Sequence, residues 1–264
     1  MDLKIAWWNC HLSAPSTKAK LNEMTTEFVS VVLSMLDSGV DLLCLCEVNE
    51  ENSLKLQRQI LVAAQTEVRY AAYTVRSLYS KSGNKIDDYG IVYRHDKLQP
   101  TTEAVDLNAK ADVTDKYLKV GKKLGFRLCN AIDLWVILCH WQSLQTYSED
   151  AHIRTEIGQQ LGGYVGDIYE GDPDALIVIC GDFNDEPFSR SIQMGLKASR
   201  DISYVMARPN ALFNPFWRLI GMTDLVSGSH LPAGTCSTGD SQHMTNWRTF
   251  DQIDRKSTRL NSSH

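Results

Sequence analysis

Four short apolar runs in this chain each end on a polar residue that can do chemistry. Leu3–Trp8 meets Asn9, Leu42–Cys46 meets Glu47, Leu134–Cys139 meets His140, and Ala175–Cys180 meets Gly181-Asp182-Phe183-Asn184. Runs of this length, rich in Val, Ile, Leu and Trp, read as buried strands. Open α/β sheets carry their sites just past the carboxyl ends of such strands. The expectation is that Asn9, Glu47, His140, Asp182 and Asn184 converge on one rim of one sheet. That residue set suits a hard cation and a phosphate, and so metal-assisted phosphoester hydrolysis.

The intervals between the runs read as helices. Thr17 to Asp37 places Leu21, Met24, Phe28, Val31, Val32 and Met35 near helical spacing, with Gly39 as a stop. Ser53–Gln65 is a second helix. The third runs from Ser148, a candidate cap followed by Glu149 and Asp150, to about Tyr169. Further strands are expected at Asp41–Cys46, Tyr70–Val75, Tyr89–Tyr93 and Phe126–Asn130. Residues 207–249, rich in Pro, Gly, Asn, Ser and Trp, read as a long irregular excursion over the active face.

At 264 residues with 43% hydrophobic and 22% charged residues, a packed core is expected and disorder is excluded. No stretch of 18 apolar residues occurs, and no basic segment precedes the first strand, so neither a membrane span nor a signal peptide is expected. Seven cysteines contain no CxxC pair, and at least four lie inside apolar runs. They read as free thiols of a reducing compartment, which favours the cytoplasm. A net charge of −5 argues against a protein that coats nucleic acid, but not against a nuclease whose cation supplies local positive charge. The chain is expected to be a monomer.

The candidate residues each have a bland alternative. In an extended segment Asp182 and Asn184 point the same way, so one could hold or deprotonate water while the other donates to a phosphate oxygen; otherwise they form a polar turn. Glu47 is a magnesium carboxylate or a capping acid for the next helix. His140 is a phosphoryl ligand and general acid or a structural histidine. Asp251 completes the carboxylate set or sits in a surface turn. A carboxylate at Asp87 or Asp88 could orient His140, or be solvated. Arg127 is a phosphate clamp or a plain surface Arg. Lys110, Lys116, Lys119, Lys122 and Lys123 form a basic stretch that meets a polyanion or is simply solvated. Trp7, Trp8, Trp141, Trp217 and Trp247 could stack on bases or pack in the core.

The ordered set Trp-Trp-Asn at 7–9, Cys-Glu at 46–47, Tyr-Gly-Ile-Val-Tyr-Arg at 89–94, Cys-His-Trp-Gln-Ser at 139–143, Gly-Asp-Phe-Asn at 181–184 and Phe-Asp-Gln-Ile at 250–253 resembles the endonuclease/exonuclease/phosphatase superfamily. The resemblance spans residues 3 to about 253. It implies a four-layer α/β sandwich, two mixed sheets packed face to face with helices outside. It also implies a divalent cation, usually Mg2+, with Mn2+ as a substitute. Carried over, Asn9 and Glu47 hold metal and phosphate, Asp182 and Asn184 position water and phosphate, Asp251 supports the second carboxylate position, and His140 is the first catalytic histidine. Asp87 falls near the place of the acid that orients it.

The family pattern closes on a further strand and a Ser-Asp-His motif. Here the chain reads Arg255-Lys256-Ser257-Thr258-Arg259-Leu260-Asn261-Ser262-Ser263-His264, which resembles translated sequencing-adapter sequence. The expectation is therefore a catalytic domain over 1–253, a foreign tail over 254–264, a missing last strand, and little or no activity in the chain as written. The expected parent is a divalent-metal phosphoesterase acting on DNA or RNA. Hydrolysis of small phosphoesters or lipid headgroups, or a non-catalytic binding module, are the alternatives. A Rossmann-type nucleotide binder is excluded, because no glycine-rich turn follows Leu3–Trp8.

Overall fold

Each apolar run takes its place in a mixed sheet, but the runs divide between two sheets rather than sharing one. The computed structural model describes residues 2–12, 26–82, 85–111, 117–129, 131–143, 152–220, 234–237 and 247–256. The chain splits into one unit of residues 1–100 with 127–131, and a second of 101–126 with 132–264.

In the first unit the chain order is β1 (Ile5–Asn9), α1 (Thr26–Asp37), β2 (Leu42–Cys46), α2 (Glu50–Thr66), a 3-10 turn (Val68–Ala72), β3 (Tyr73–Ser77), β4 (Ser80–Ser82), β5 (Lys85–Asp87), β6 (Tyr89–Arg94) and β7 (Leu98–Pro100). The sheet order is β1-β2-β6-β3, with β1 parallel to β2 and β6 antiparallel to both its neighbours. All five residues of β2 are buried, as its unbroken apolar run requires. Helix α1 buries Phe28, Val32 and Leu36, four apart on one face. It ends at Gly39, whose φ of 85° suits a residue without Cβ. Leu56 and Ile60 of α2 join that face of α1 against Leu43, Leu45 and Val92. The expected helix residues 17–25 lie outside the described residues. The expected strand at Tyr70–Val75 is split, its first part being the 3-10 turn and its second β3.

In the second unit follow β8 (Val105–Lys110), β9 (Tyr117–Leu128), β10 (Asp133–His140), α3 (His152–Gly171), β11 (Leu176–Asp182), a π-helical turn (Ser191–Gly195), β12 (Ala198–Ser199), α4 (Ile202–Met206), β13 (Leu212–Phe213), a 3-10 turn (Pro215–Leu219), β14 (Cys236–Ser237), β15 (Trp247–Arg248) and β16 (Asp251–Lys256). The sheet runs β12-β13-β16-β11-β10-β9, with β8 paired on β9. Parallel strands β10 and β11 are joined by α3 as the crossover, the connection parallel pairing demands. α3 lays Ile157, Leu161, Val165 and Ile168 on Ile137, Cys139, Ile177 and Ile179. Its expected cap, Ser148, with Glu149 and Asp150, lies outside the described residues. The excursion at 207–249 carries only short pieces of strand and turn where it is described. β16 continues through Arg255 and Lys256, and residues 257–264 lie outside the described residues. None of the seven cysteines is in a disulfide. Among the described residues no helix is long and apolar enough to cross a membrane.

Candidate active site

The carboxyl ends of β1 and β2 lie side by side, because parallel pairing sets Asn9 opposite Cys46. The chain then keeps to that edge. The Cys10 amide donates to the Cys46 carbonyl and the Leu12 amide to the Glu47 carbonyl, both at 3.0 Å. Glu47 and His11 have left-handed backbones, φ 55° and 52°. Such φ values are uncommon for non-glycine residues, Glu more so than His, and cluster at active sites and ligand clamps. The Asn9 amide nitrogen donates to Glu47 Oε1 at 3.1 Å, and the Asn9 amide oxygen accepts the His11 backbone N–H at 3.3 Å. Glu47 Oε2 faces His11 Nδ1 at 3.2 Å.

The cap of α2 is Asn49, whose side chain accepts from the Asn52 amide at 2.8 Å. Glu47 is therefore not the helix cap. Of the two neighbouring acids, Asp87 is half-buried at the end of the β4–β5 hairpin, opposite Ser80. Asp88 is buried, and its carbonyl accepts from the Val48 amide at 3.0 Å, beside the end of β2.

On the second sheet three candidates form one row. Parallel pairing sets His140 opposite Asp182, and antiparallel pairing sets Asp182 opposite Asp251. Residues in register leave the same face of a sheet on strands about 4.8 Å apart. Like charges directly opposite on antiparallel strands repel, so a cation is favoured between Asp182 and Asp251. Their field is felt nearby. Burial first, then the Asp251, Asp182 and Glu186 carboxylates, push the Cys236 thiol up to about 11.

Gly181 is needed where β10 and β11 meet, since a Cβ there would overlap the Cys139 carbonyl. Past it, the Asp182 carboxylate accepts the Asn184 amide at 2.9 Å, and Asn184 turns with φ 50°. The Asn184 side-chain nitrogen donates to the Trp141 carbonyl at 2.9 Å. That bond ties the Asp182–Asn184 turn to the segment following His140, and leaves the amide a second hydrogen to donate.

A residue the sequence reading missed holds this turn. Arg154 of α3 is 2% exposed and donates to the carbonyls of Gln142 (2.9 Å), Phe183 (3.1 Å) and Asn184 (2.6 Å), and through Nε to Asp185 at 3.0 Å. Ser191 donates to the same Asp185 carboxylate. Gln252 Nε2 donates to the Asp185 and Thr249 carbonyls, and Asn214 donates to Gln252 Oε1, so β16 is fastened to the turn as well.

Other candidates are placed elsewhere. Arg127 is exposed, six residues along β9 from Gly121, which abuts Leu138 and Cys139. Lys122 is buried on Asp106 at 2.7 Å and Lys123 lies over the Trp135 ring at 4.8 Å. These lysines are structural, and Lys116 lies outside the described residues. Trp141 is buried with its indole N–H on the Val120 carbonyl, and Trp8 stacks on Phe28, so both are core residues. Trp217 lies under Arg200.

The oxygen-rich donors suit a divalent cation: the carboxylate and amide of Glu47 and Asn9, and the opposed carboxylates of Asp182 and Asp251. The family model described as "Endonuclease/Exonuclease/phosphatase family" matches residues 13–227. No curated protein matches this sequence. Among solved structures the chain is similar to the mannosyl-6-phosphatase of Bacteroides thetaiotaomicron at 13% identity, over 97% of this chain and 85% of that one, with a TM-score of 0.58. It is similar to the human Nocturnin catalytic domain with bound sulfate anion at 14% identity, over 88% and 75%, with a TM-score of 0.53. It is also similar to D. rerio TDP2 complexed with single strand DNA product at 15% identity, over 97% and 84%, with a TM-score of 0.51. At these identities the likeness shows a shared mixed α/β fold.

Proposed function

The chain belongs to the endonuclease/exonuclease/phosphatase family, and from that premise we propose that it is a magnesium-dependent hydrolase of phosphodiester bonds in nucleic acid. The observation that carries the reading is the His140–Asp182–Asp251 row, with the Asn184 turn locked behind it. In the first unit Glu47, oriented by Asn9, is the carboxylate assigned to a cation. A bound divalent cation would neutralise charge developing on a phosphate oxygen. Asp182 aligns a water for in-line attack. Asn184 and His140 donate to the phosphoryl oxygens as they gain charge. No covalent intermediate with the protein is needed.

A small phosphomonoester substrate is the second reading, favoured by the net charge of −5. The likeness to a sugar phosphatase agrees with it.

The test is hydrolysis of single-stranded DNA, bis-p-nitrophenyl phosphate and mannose 6-phosphate with Mg2+, Mn2+ or EDTA. It is run on this chain and on one extended by a family-like strand ending in Asp-His. We expect metal-dependent cleavage of the two diesters, reduced about 10²- to 10⁴-fold by Asp182→Ala. Turnover of the monoester alone selects the second reading. Cleavage that persists in EDTA or in Asp182→Ala removes both.

A further inference from the structure

We propose that His11 is a direct ligand of the divalent cation, through Nδ1, beside Glu47. The proposal rests on the reading of Glu47 as a metal carboxylate. Glu47 divides its two oxygens. Oε1 accepts the Asn9 amide at 3.1 Å, and Oε2 faces His11 Nδ1 at 3.2 Å. Two ligands at right angles on an ion with bonds of about 2.1 Å lie about 3.0 Å apart. The Nδ1–Oε2 separation is therefore the edge of a coordination polyhedron as readily as a hydrogen bond.

The main chain fixes this pairing. The residues on either side of His11 are both bonded to the end of β2, Cys10 to Cys46 and Leu12 to Glu47. The His11 amide is held by the Asn9 side chain. His11 and Glu47 both adopt left-handed φ, a conformation that surrounding structure must impose on such residues. The His11 side chain is 76% exposed and that of Glu47 17%, so a hydrated ion can approach the pair from solvent.

An imidazole in place of one oxygen changes what the site prefers. Imidazole suits the later first-row ions, and carboxylate, carbonyl and water suit Mg2+ and Mn2+; of these two, Mn2+, the transition-metal ion, accepts a nitrogen donor at less cost than Mg2+. His11 then makes this a site in which the preference for Mn2+ over Mg2+ is larger than in an all-oxygen site.

The experiment is Mn2+ binding to the apo chain, followed by electron paramagnetic resonance with electron spin echo detection of nitrogen, and Mg2+ binding by calorimetry. We expect 14N modulation from a directly bound imidazole, absent in His11→Ala. In that variant the Mn2+ dissociation constant should rise about tenfold or more, while that of Mg2+ changes less. His11→Ala is an exposed substitution, and circular dichroism confirms that it folds. Mn2+ that binds in a Glu47-dependent way without 14N modulation, or with modulation that survives His11→Ala, overturns the proposal and leaves the metal reading of Glu47 intact. If Glu47→Gln does not weaken Mn2+ binding, the ion is not at this carboxylate, and both readings fall.

Discussion

Arg154 holds its turn with a buried charge, and a buried charge is costly to strand. Its guanidinium is paired with Asp185, 2% exposed, while its other nitrogens hold the carbonyls on which Asn184 and the segment after His140 are hung. Removing one member of such a pair leaves the other uncompensated and destabilises by about 3–5 kcal/mol; replacing both with apolar residues can be nearly neutral. Arg154→Met should lose that much in urea denaturation, and Arg154→Met with Asp185→Leu should recover most of it. A single variant within about 1 kcal/mol of the parent would show that the turn stands without this pair. The position of the candidates at strand ends was readable, because Asn9, Glu47, His140 and Asp182 each interrupt an apolar run. Their support was not. Arg154 lies on the stripe of α3 that continues through Ile157, Leu161, Val165 and Ile168, and a lone cation on a core-facing stripe was the available signal. The side-chain pairing at Glu47 was hidden for another reason: nothing in a glutamate announces a left-handed φ, and that backbone turn is what brings Oε2 to His11.

At the scale of elements, β16 carries a contradiction in its pattern. Asp251, Ile253 and Arg255 share one face; Gln252, Asp254 and Lys256 share the other, opposite Gly181, Ile179 and Ile177. Gln252 and Lys256 are satisfied, Lys256 by the carbonyls of Val205 and Arg208. Asp254 is fully buried, and neither of its oxygens has a hydrogen-bond partner among the described residues. Desolvation holds its carboxyl well above the usual carboxylate range. Folding therefore takes up a proton between the ordinary carboxylate pKa of 3.8 and the raised value, and stability falls as pH rises through that window. A leucine at 254 has no such penalty. Asp254→Leu should gain about 1–3 kcal/mol at neutral pH, the usual cost of a stranded polar group. The part of that gain due to ionisation should disappear below about pH 4. Equal melting temperatures across the range would mean that Asp254 finds a partner. Legibility at this scale followed the apolar content of each strand. β2, β6, β10 and β11 are continuous runs and were read within a residue or two. β9 was found only at its end, although Leu118, Val120, Leu124, Phe126 and Leu128 alternate inward along it. Lys119, Lys122 and Lys123 disguised that alternation as a solvated basic stretch, and the ion pair that buried Lys122 makes with the exposed Asp106 explains how a lysine occupies an inward position.

For the molecule as a whole, charge decides how a nucleic-acid substrate can be held. Lysine and arginine number 27 against 32 acids. Several of the cations are committed internally: Arg154 to Asp185, Lys122 to Asp106, Lys97 to Asp41, and Arg94 to Asp96. A protein that grips DNA through six to ten phosphates shows a steep loss of affinity with salt. With a net charge of −5 there is no overall excess of basic groups for that, and we expect a bound cation to carry much of the attraction to phosphate. Two linked outcomes follow. First, Mg2+ at about 100 times its dissociation constant should stabilise the fold by about 2.7 kcal/mol through mass action, and Glu47→Gln should remove most of that gain. Second, with Asp182→Asn in place to stop turnover, a labelled single-stranded oligonucleotide should bind with Mg2+ and be released by EDTA. Its affinity should fall with salt as though only about one to three phosphates were neutralised, far from the slope of about −10 of an extended basic interface. Tight binding in EDTA with a steep salt slope would mean that a cationic surface does the holding, and the cation-centred account of recognition would have to be abandoned.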